Sequence, residues 1–152
     1  MVMRLEEAIK QQQFQSLFQK AYLSIVFTGN LFEAEVNQLL KPFRLSSQQF
    51  NVLRILRGAR QEACNLCDIQ ERMLDRMSNA TRLVEKLRSR GLLTRELCAE
   101  NRRKVEIRIT PKGMALLSEL DQLLEAYYKT MSSRLSEQEA GQISELLDKL
   151  RG

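Results

Sequence analysis

Eleven basic side chains fall between Arg72 and Arg108, at positions 72, 76, 82, 86, 88, 90, 95, 102, 103, 104 and 108, against five acidic ones at 75, 85, 96, 100 and 106. Eleven minus five leaves +6 in this quarter of the chain, so the remaining residues together carry −1 of the overall +5. Lys and Arg clustered on one element neutralise phosphates and release condensed counterions, which makes a polyanion the fitting partner. The competing reading is a solvated helix face that touches nothing.

Other chemistry finds less support. The chain has no histidine, and general acid–base work, activated Ser or Cys nucleophiles and most transition-metal sites lean on imidazole. Its six glycines form no phosphate-cradling motif. Cys64 and Cys67 make a CxxC that can answer an oxidant or, with carboxylates, hold zinc. Without histidine or a second CxxC the zinc pattern is incomplete, and a cysteine at a helix start reads as a small apolar residue. Three cysteines suit reduced thiols better than a disulfide framework. The expectation is a protein that is not an enzyme and holds neither cofactor nor metal.

The basic stretch must be positioned by a helix and a hairpin. Ala80, Val84 and Leu87 recur at the spacing of a buried helical stripe, which leaves Arg76, Ser78, Asn79, Thr81 and Arg82 outside. Asp75 is the expected cap at the start of this helix, and Gly91 the residue that ends it. Leu92 to Leu97 reads as a strand, and Val105, Ile107 and Ile109 alternate with Glu106 and Arg108 as a half-buried strand does. Glu100, Asn101, Arg102, Arg103 and Lys104 tip the hairpin. Upstream, Ser46 with Gln49 forms a capping-box pattern for a helix burying Phe50, Leu53, Ile55 and Leu56, and Gly58 closes it. Asn65 caps a short helix with Leu66, Ile69 and Met73 spaced for burial.

Long helices flank this block. Residues 4–40 read as one helical stretch with Phe14, Leu17, Phe18, Ala21, Tyr22, Ile25 and Val26 on one broad face, ended by Pro42. Thr110 and Pro111 open another, carrying Leu116, Leu117, Leu120, Leu123, Leu124, Tyr127 and Tyr128 to Met131. Ser136 with Glu139 opens a last helix through Ile143, Leu146, Leu147 and Leu150. This apolar excess at the two ends calls for a partner subunit, with a helical bundle within one chain as the alternative. No apolar run reaches the length of a membrane span, and the amino terminus lacks the pattern of a signal peptide. A cytoplasmic protein with no membrane partner is expected. One domain over 1–152 is expected, with 1–42 and 112–152 as dimerisation helices and 45–111 as the DNA-binding region.

These residues resemble the MarR (multiple antibiotic resistance regulator) family of winged helix-turn-helix transcription factors. Leu45-Ser46-Ser47-Gln48-Gln49-Phe50 is similar to the family's L-[ST]-x-x-Q-[FW] pattern. Thr81-Arg82-Leu83-Val84-Glu85-Lys86-Leu87 with Gly91-Leu92-Leu93 resembles its TRLVDRLxxxGLV core, and Ile109-Thr110-Pro111-Lys112-Gly113 its LTxxG closure. The resemblance implies a mainly α fold with a small two- or three-stranded antiparallel wing, and a homodimer through long terminal helices. It also implies sequence-specific binding to double-stranded DNA at a palindromic operator. Such regulators are often repressors relieved by small aromatic or lipophilic ligands, and an effector of that kind is left open here.

The expected DNA-binding set is Arg76, Ser78, Asn79, Thr81, Arg82, Arg88, Arg102, Arg103 and Lys104. Ser78, Asn79 and Thr81 are assigned to base edges, and Arg76, Arg82 and Arg88 to phosphates; for Ser78 and Asn79 the alternative is ordinary helix-start chemistry. At the wing the family usually has Asp-x-Arg, whereas Asn101 stands in the acidic position here. Its amide accepts a hydrogen bond but carries no charge. By resemblance Arg103 is the minor-groove residue, with plain phosphate contact as the alternative. Other readings of the whole are a non-specific nucleic-acid or protein-interaction module and a thiol-based redox regulator. The family's amino-terminal sensing cysteine has no counterpart before Cys64.

Overall fold

The computed structural model describes residues 3–60, 62–101 and 104–152. Two compact units are present, Met1–Ser47 and Gln48–Gly152. In the first, the helical stretch expected over 4–40 is two helices, α1 (Leu5–Ala8) and α2 (Leu17–Leu40). Lys10 adopts a left-handed conformation, φ 54°, and the Gln11 N–H donates back to the Glu6 carbonyl at 3.1 Å, which closes α1. Extended Ser16 then caps α2 by accepting the Gln19 N–H at 3.1 Å. The apolar periodicity continues through these residues, but two local capping arrangements outcompete a continuous helix. Pro42 sits in a 3-10 turn, Lys41–Phe43, directly after α2.

Along α2, Leu17 and Phe18 are more than four-fifths exposed, and Tyr22, Ile25, Val26, Leu31 and Phe32 are exposed as well. Phe14 precedes the helix and lies 5.6 Å from the Lys20 ammonium.

The second unit follows the expected order: α3 (Ser47–Gly58, its first residue belonging to the other unit), α4 (Leu66–Arg72), α5 (Ala80–Ser89), β1 (Leu93–Leu97), β2 (Val105–Ile109), α6 (Pro111–Met131) and α7 (Glu137–Arg151). β1 and β2 are antiparallel, with Leu93 opposite Ile109 and Leu97 opposite Val105. Cys64 adds a one-residue bridge, since its N–H donates to the Ile107 carbonyl at 3.0 Å and its carbonyl accepts from the Ile107 N–H at 2.8 Å.

Val52, Leu53 and Leu56 of α3, Ile69 of α4, Val84 and Leu87 of α5, Leu93 and Ile107 of the wing, and Leu117 and Leu120 of α6 are buried. Full burial of such a side chain stabilises by roughly 1.5–3 kcal/mol. Ile55 and Leu66, expected inside, are only half-buried. Val52 takes an interior place instead. On the carboxy-terminal helices, Leu123, Tyr128, Ile143, Leu146 and Leu150 stay exposed.

The caps at Asn65, Thr110 and Ser136 form as the sequence indicates, with full capping boxes at Asn65 with Asp68 and at Ser136 with Glu139. α6 is set tightly against the start of the wing: a Cβ built on Gly113 would lie 2.3 Å from the Leu92 carbonyl oxygen and 2.8 Å from Ile109 Cγ1. Only glycine permits that approach. No helix among the described residues is long and apolar enough to cross a membrane.

Candidate nucleic-acid interface

α5 is helical because its sequence serves both ends and one face. Ala80, Val84 and Leu87 fall on the buried side. Lys86 and Arg88 sit in the last turn, where cations complement the helix dipole. Gly91, at φ 69°, completes a Schellman ending in which the Gly91 N–H donates to the Arg88 carbonyl at 2.9 Å and the Leu92 N–H to the Leu87 carbonyl at 3.1 Å. The start of α6 closes the same helix end. Thr110 Oγ1 donates to the Gly91 carbonyl at 2.7 Å, and Lys112 Nζ to the Arg90 carbonyl at 2.8 Å.

The N-cap of α5 falls four residues after the expected one at Asp75. Asn79 is the N-cap, its Oδ1 accepting the Arg82 N–H at 3.0 Å. Asp75 instead organises the preceding turn, accepting the Met77 N–H at 3.0 Å and the Ser78 hydroxyl at 2.9 Å. The decisive group is distant in sequence. Gln70 on α4 donates through Nε2 to the carbonyls of Arg76 and Ser78, both at 2.9 Å, and accepts the Ala80 N–H at 3.2 Å through Oε1. Asn51 Oδ1 takes the Leu74 N–H at 2.8 Å. The backbone of 74–80 is thereby drawn away from helical geometry and fixed.

This start point sorts the nine expected residues. Thr81, Arg82 and Arg88 are on α5, Asn79 caps it, and Arg76 and Ser78 lie in the turn before it. All six are exposed except Ser78, which is half-buried. The Ser78 hydroxyl proton is committed to Asp75, and Asn79 Oδ1 to the helix cap. Paired recognition of adenine by the Asn79 amide would have to share that oxygen between the helix cap and the base, through its second lone pair. Lys104 is exposed, its N–H donating to the Asn101 carbonyl at 2.8 Å and its carbonyl accepting from the Cys98 N–H at 2.9 Å. Arg102 and Arg103 lie outside the described residues.

A carboxylate stands within this basic surface. Glu85 on α5 accepts from Arg95 Nη1 of β1 at 2.6 Å and from Arg88 Nε at 3.0 Å. The Arg95 bond first, then that from Arg88, holds its carboxyl below the usual value of 4.5. Arg88 is therefore not an unengaged phosphate ligand, and Arg95, absent from the expected set, ties the wing to the helix. A lone acid on an otherwise basic helix is the signal that would have pointed to it. Farther along the hairpin, Glu106 pairs with Arg108 at 3.1 Å.

The cysteines are separated in character. Cys64 is buried and burial pushes its thiol upward, whereas Cys67 is exposed. Among the described residues no group of three or more Cys, Asp or Glu is arranged to hold a metal ion. Across the same unit, Arg57 of α3 clasps Asp121 of α6 with two bonds, Nη1 to Oδ2 at 2.6 Å and Nη2 to Oδ1 at 3.0 Å. Beside this clasp lies a cleft of about 180 Å³ lined by Phe50, Arg54, Leu124 and Tyr128 among others.

The model of the MarR family matches residues 45–105, which span α3, α4, α5, β1 and the start of β2. The chain is 32% identical to a MarR transcription factor from Planctomyces limnophilus, covering 90% of this chain and 98% of that one, with a TM-score of 0.67. It is 29% identical to BpsR of Bordetella bronchiseptica, covering 91% and 94%, with a TM-score of 0.67; that structure concerns regulation of BpsR's DNA binding by 6-hydroxynicotinic acid. A putative MarR-like regulator from Bacillus cereus shares the fold at 20% identity, with a TM-score of 0.76 over 87% and 94% of the two chains. A helix with an exposed basic side, a two-stranded wing clamped to it, and 32% identity over nearly the whole of a family member place this chain in the MarR family of winged helix-turn-helix transcriptional regulators, DNA-binding proteins and not enzymes.

Proposed function

We propose that the protein is a homodimer that binds a palindromic double-stranded operator and represses nearby genes until a small aromatic ligand releases it. The observation that carries this reading is the exposed basic side of α5 and its turn, with Arg76, Thr81 and Arg82 open to solvent and the +6 excess confined to 72–108. Two such helices, related by twofold symmetry and about 34 Å apart, fit successive major grooves. Residues 45–111 form the DNA-binding region, with Arg102, Arg103 and Lys104 at the wing tip against the backbone and the minor groove. Segments 1–42 and 112–152 form the dimer module. Its support is the apolar surface left open by Leu17, Phe18 and Tyr22 and by Leu146 and Leu150. The site of action is the cytoplasm.

The cleft beside the Arg57–Asp121 clasp is the proposed effector site. At about 180 Å³ it falls below the span of drug-sized pockets and suits one small ring. Phe50 and Tyr128 supply apolar walls, and Arg54, 5.7 Å from the Phe50 ring, supplies a cation for an acidic substituent. A ligand that binds one spacing of the two DNA-binding regions better than another shifts the population accordingly. The similarity to BpsR, whose DNA binding responds to 6-hydroxynicotinic acid, supports an aromatic acid.

The test is a footprint over the intergenic DNA beside the protein's own gene, with and without aromatic acids, alongside sedimentation at micromolar concentration. A protected palindrome, a dimeric mass and loss of protection on adding a ligand are expected. Single chains, or competition by unrelated DNA equal to that of the upstream region, would overturn the reading.

A further inference from the structure

Leu74 and Met77 are 87% and 94% exposed, among the most exposed large apolar side chains of the described residues. Both lie in the turn between α4 and α5, on either side of Arg76 and within five residues before Asn79. A turn that leaves such side chains in water is normally a loose one. This turn is held from several directions: Asn51 binds the Leu74 N–H, Asp75 binds the Met77 N–H and the Ser78 hydroxyl, and Gln70 binds the carbonyls of Arg76 and Ser78 together with the Ala80 N–H. The backbone is fixed by polar side chains while the apolar ones are turned outward.

We infer that Leu74 and Met77 are specificity-determining residues that read thymine methyl groups in the major groove. The inference rests on the DNA-binding reading above, and the turn is continuous with the exposed residues of α5 assigned there. Of the four bases only thymine presents an apolar group, its C5 methyl, on the major-groove edge, and apolar side chains are what recognise it. Two polar side chains of this segment already serve the fold, Ser78 donating to Asp75 and Asn79 Oδ1 capping the helix. Methionine is unbranched and adapts its shape to an irregular surface, and its place beside Arg76 lets one phosphate contact set its depth. A turn so held gives up little backbone freedom on binding, which preserves discrimination.

The test begins with duplexes selected from a random pool by the full chain. Each thymine of the selected site is then replaced singly by deoxyuridine, which removes the methyl and leaves the hydrogen-bonding edge. We expect the wild-type protein to lose about fourfold in affinity at one or more positions, the value for one buried methyl-sized group. Leu74→Ala or Met77→Ala should bind the selected duplex more weakly and be indifferent to the same replacement. Since both side chains are exposed, the variants should melt with the wild type. Uridine losses identical in all three proteins overturn the inference while leaving DNA binding intact. A shift in the oligomeric state of either variant overturns it in favour of a contact between copies of the chain. If the pool enriches no sequence, the reading of a sequence-specific operator fails and this inference with it.

Discussion

Glu85 accepts a 2.6 Å bond from Arg95, joining the exposed helix α5 to the first strand of the wing across ten residues of sequence. The same carboxylate also engages Arg88. Both arginines would otherwise add to the cationic surface, so Glu85 trades charge for a fixed angle between helix and hairpin. In Glu85→Gln, two effects oppose each other. Removal of the negative charge frees two guanidinium groups, and the salt slope of DNA binding should steepen by about 0.9 for each that then reaches a phosphate, at most about two units. Loosening of the wing should cut the ratio of specific to random-duplex affinity. Measuring both duplexes between 50 and 200 mM salt, as order-of-magnitude limits, checks this, and an unchanged ratio would show that the clamp does not serve recognition. Because the Glu85 carboxyl is held below its usual 4.5, the clamp is complete above that value and is lost as the pH falls through the lowered one. Wing anchoring should be flat from pH 6 to 8, on the order of physiological range.

Arg76 and Arg82 are exposed without an ion pair among the described residues, whereas Arg88 already faces Glu85. Each of Arg76→Ala and Arg82→Ala should lower the salt slope by about 0.9, and Arg88→Ala by distinctly less. Fluorescence anisotropy titrations over a salt series measure the three slopes. Equal slopes would mean that Glu85 releases Arg88 when DNA arrives.

Gly113→Ala places a methyl 2.3 Å from a backbone carbonyl oxygen. Backbone cannot swing aside as a side chain does, so α6 must lift from the wing. A loss of about 1–3 kcal/mol is expected, which for a chain of this size is a fall in Tm of roughly 2–12 °C. Calorimetry decides; a Tm equal to the wild type would show that α6 moves freely at its first turn.

Cys64 is buried with its thiol shifted upward, and Cys67 is exposed. The thiolate is the reactive form, so iodoacetamide or peroxide at neutral pH should modify Cys67 well before Cys64. Peptide mass spectrometry set beside DNA affinity resolves the order and its consequence. Oxidation of Cys67 without loss of binding rules out a redox switch at this site; faster reaction at Cys64 would show that the bridge to Ile107 opens in solution.

Features set by local pattern were legible from the residues alone. Ala80, Val84 and Leu87 marked the buried side of α5, Gly91 its end, and Thr110 with Pro111 the start of α6, because spacing and capping act within a few residues. The start of α5 was not legible. Asp75 and Asn79 are both good caps, and the choice between them falls to Gln70 on another helix. Likewise the break between α1 and α2 lacks any proline or glycine and depends on Lys10 turning left-handed. Arg95 is one of the eleven basic residues between 72 and 108, but its partner is chosen by strand register and packing, which no spacing rule encodes. Gly113 was recognisable as part of a motif, and the reason for it emerges only where Leu92 crosses beneath it.

The amide of Gln70 has a consequence for how such a protein diversifies. Together with Asn51 and Asp75, this side chain, rooted in the neighbouring helix, sets the path of the turn largely through main-chain atoms. Residues 74, 76 and 77 are relieved of any duty to hold their own conformation. On the thymine-methyl proposal, substitutions at Leu74 and Met77 would change which sequence is preferred and leave the scaffold in place, whereas a change at Gln70 would loosen the turn that carries both.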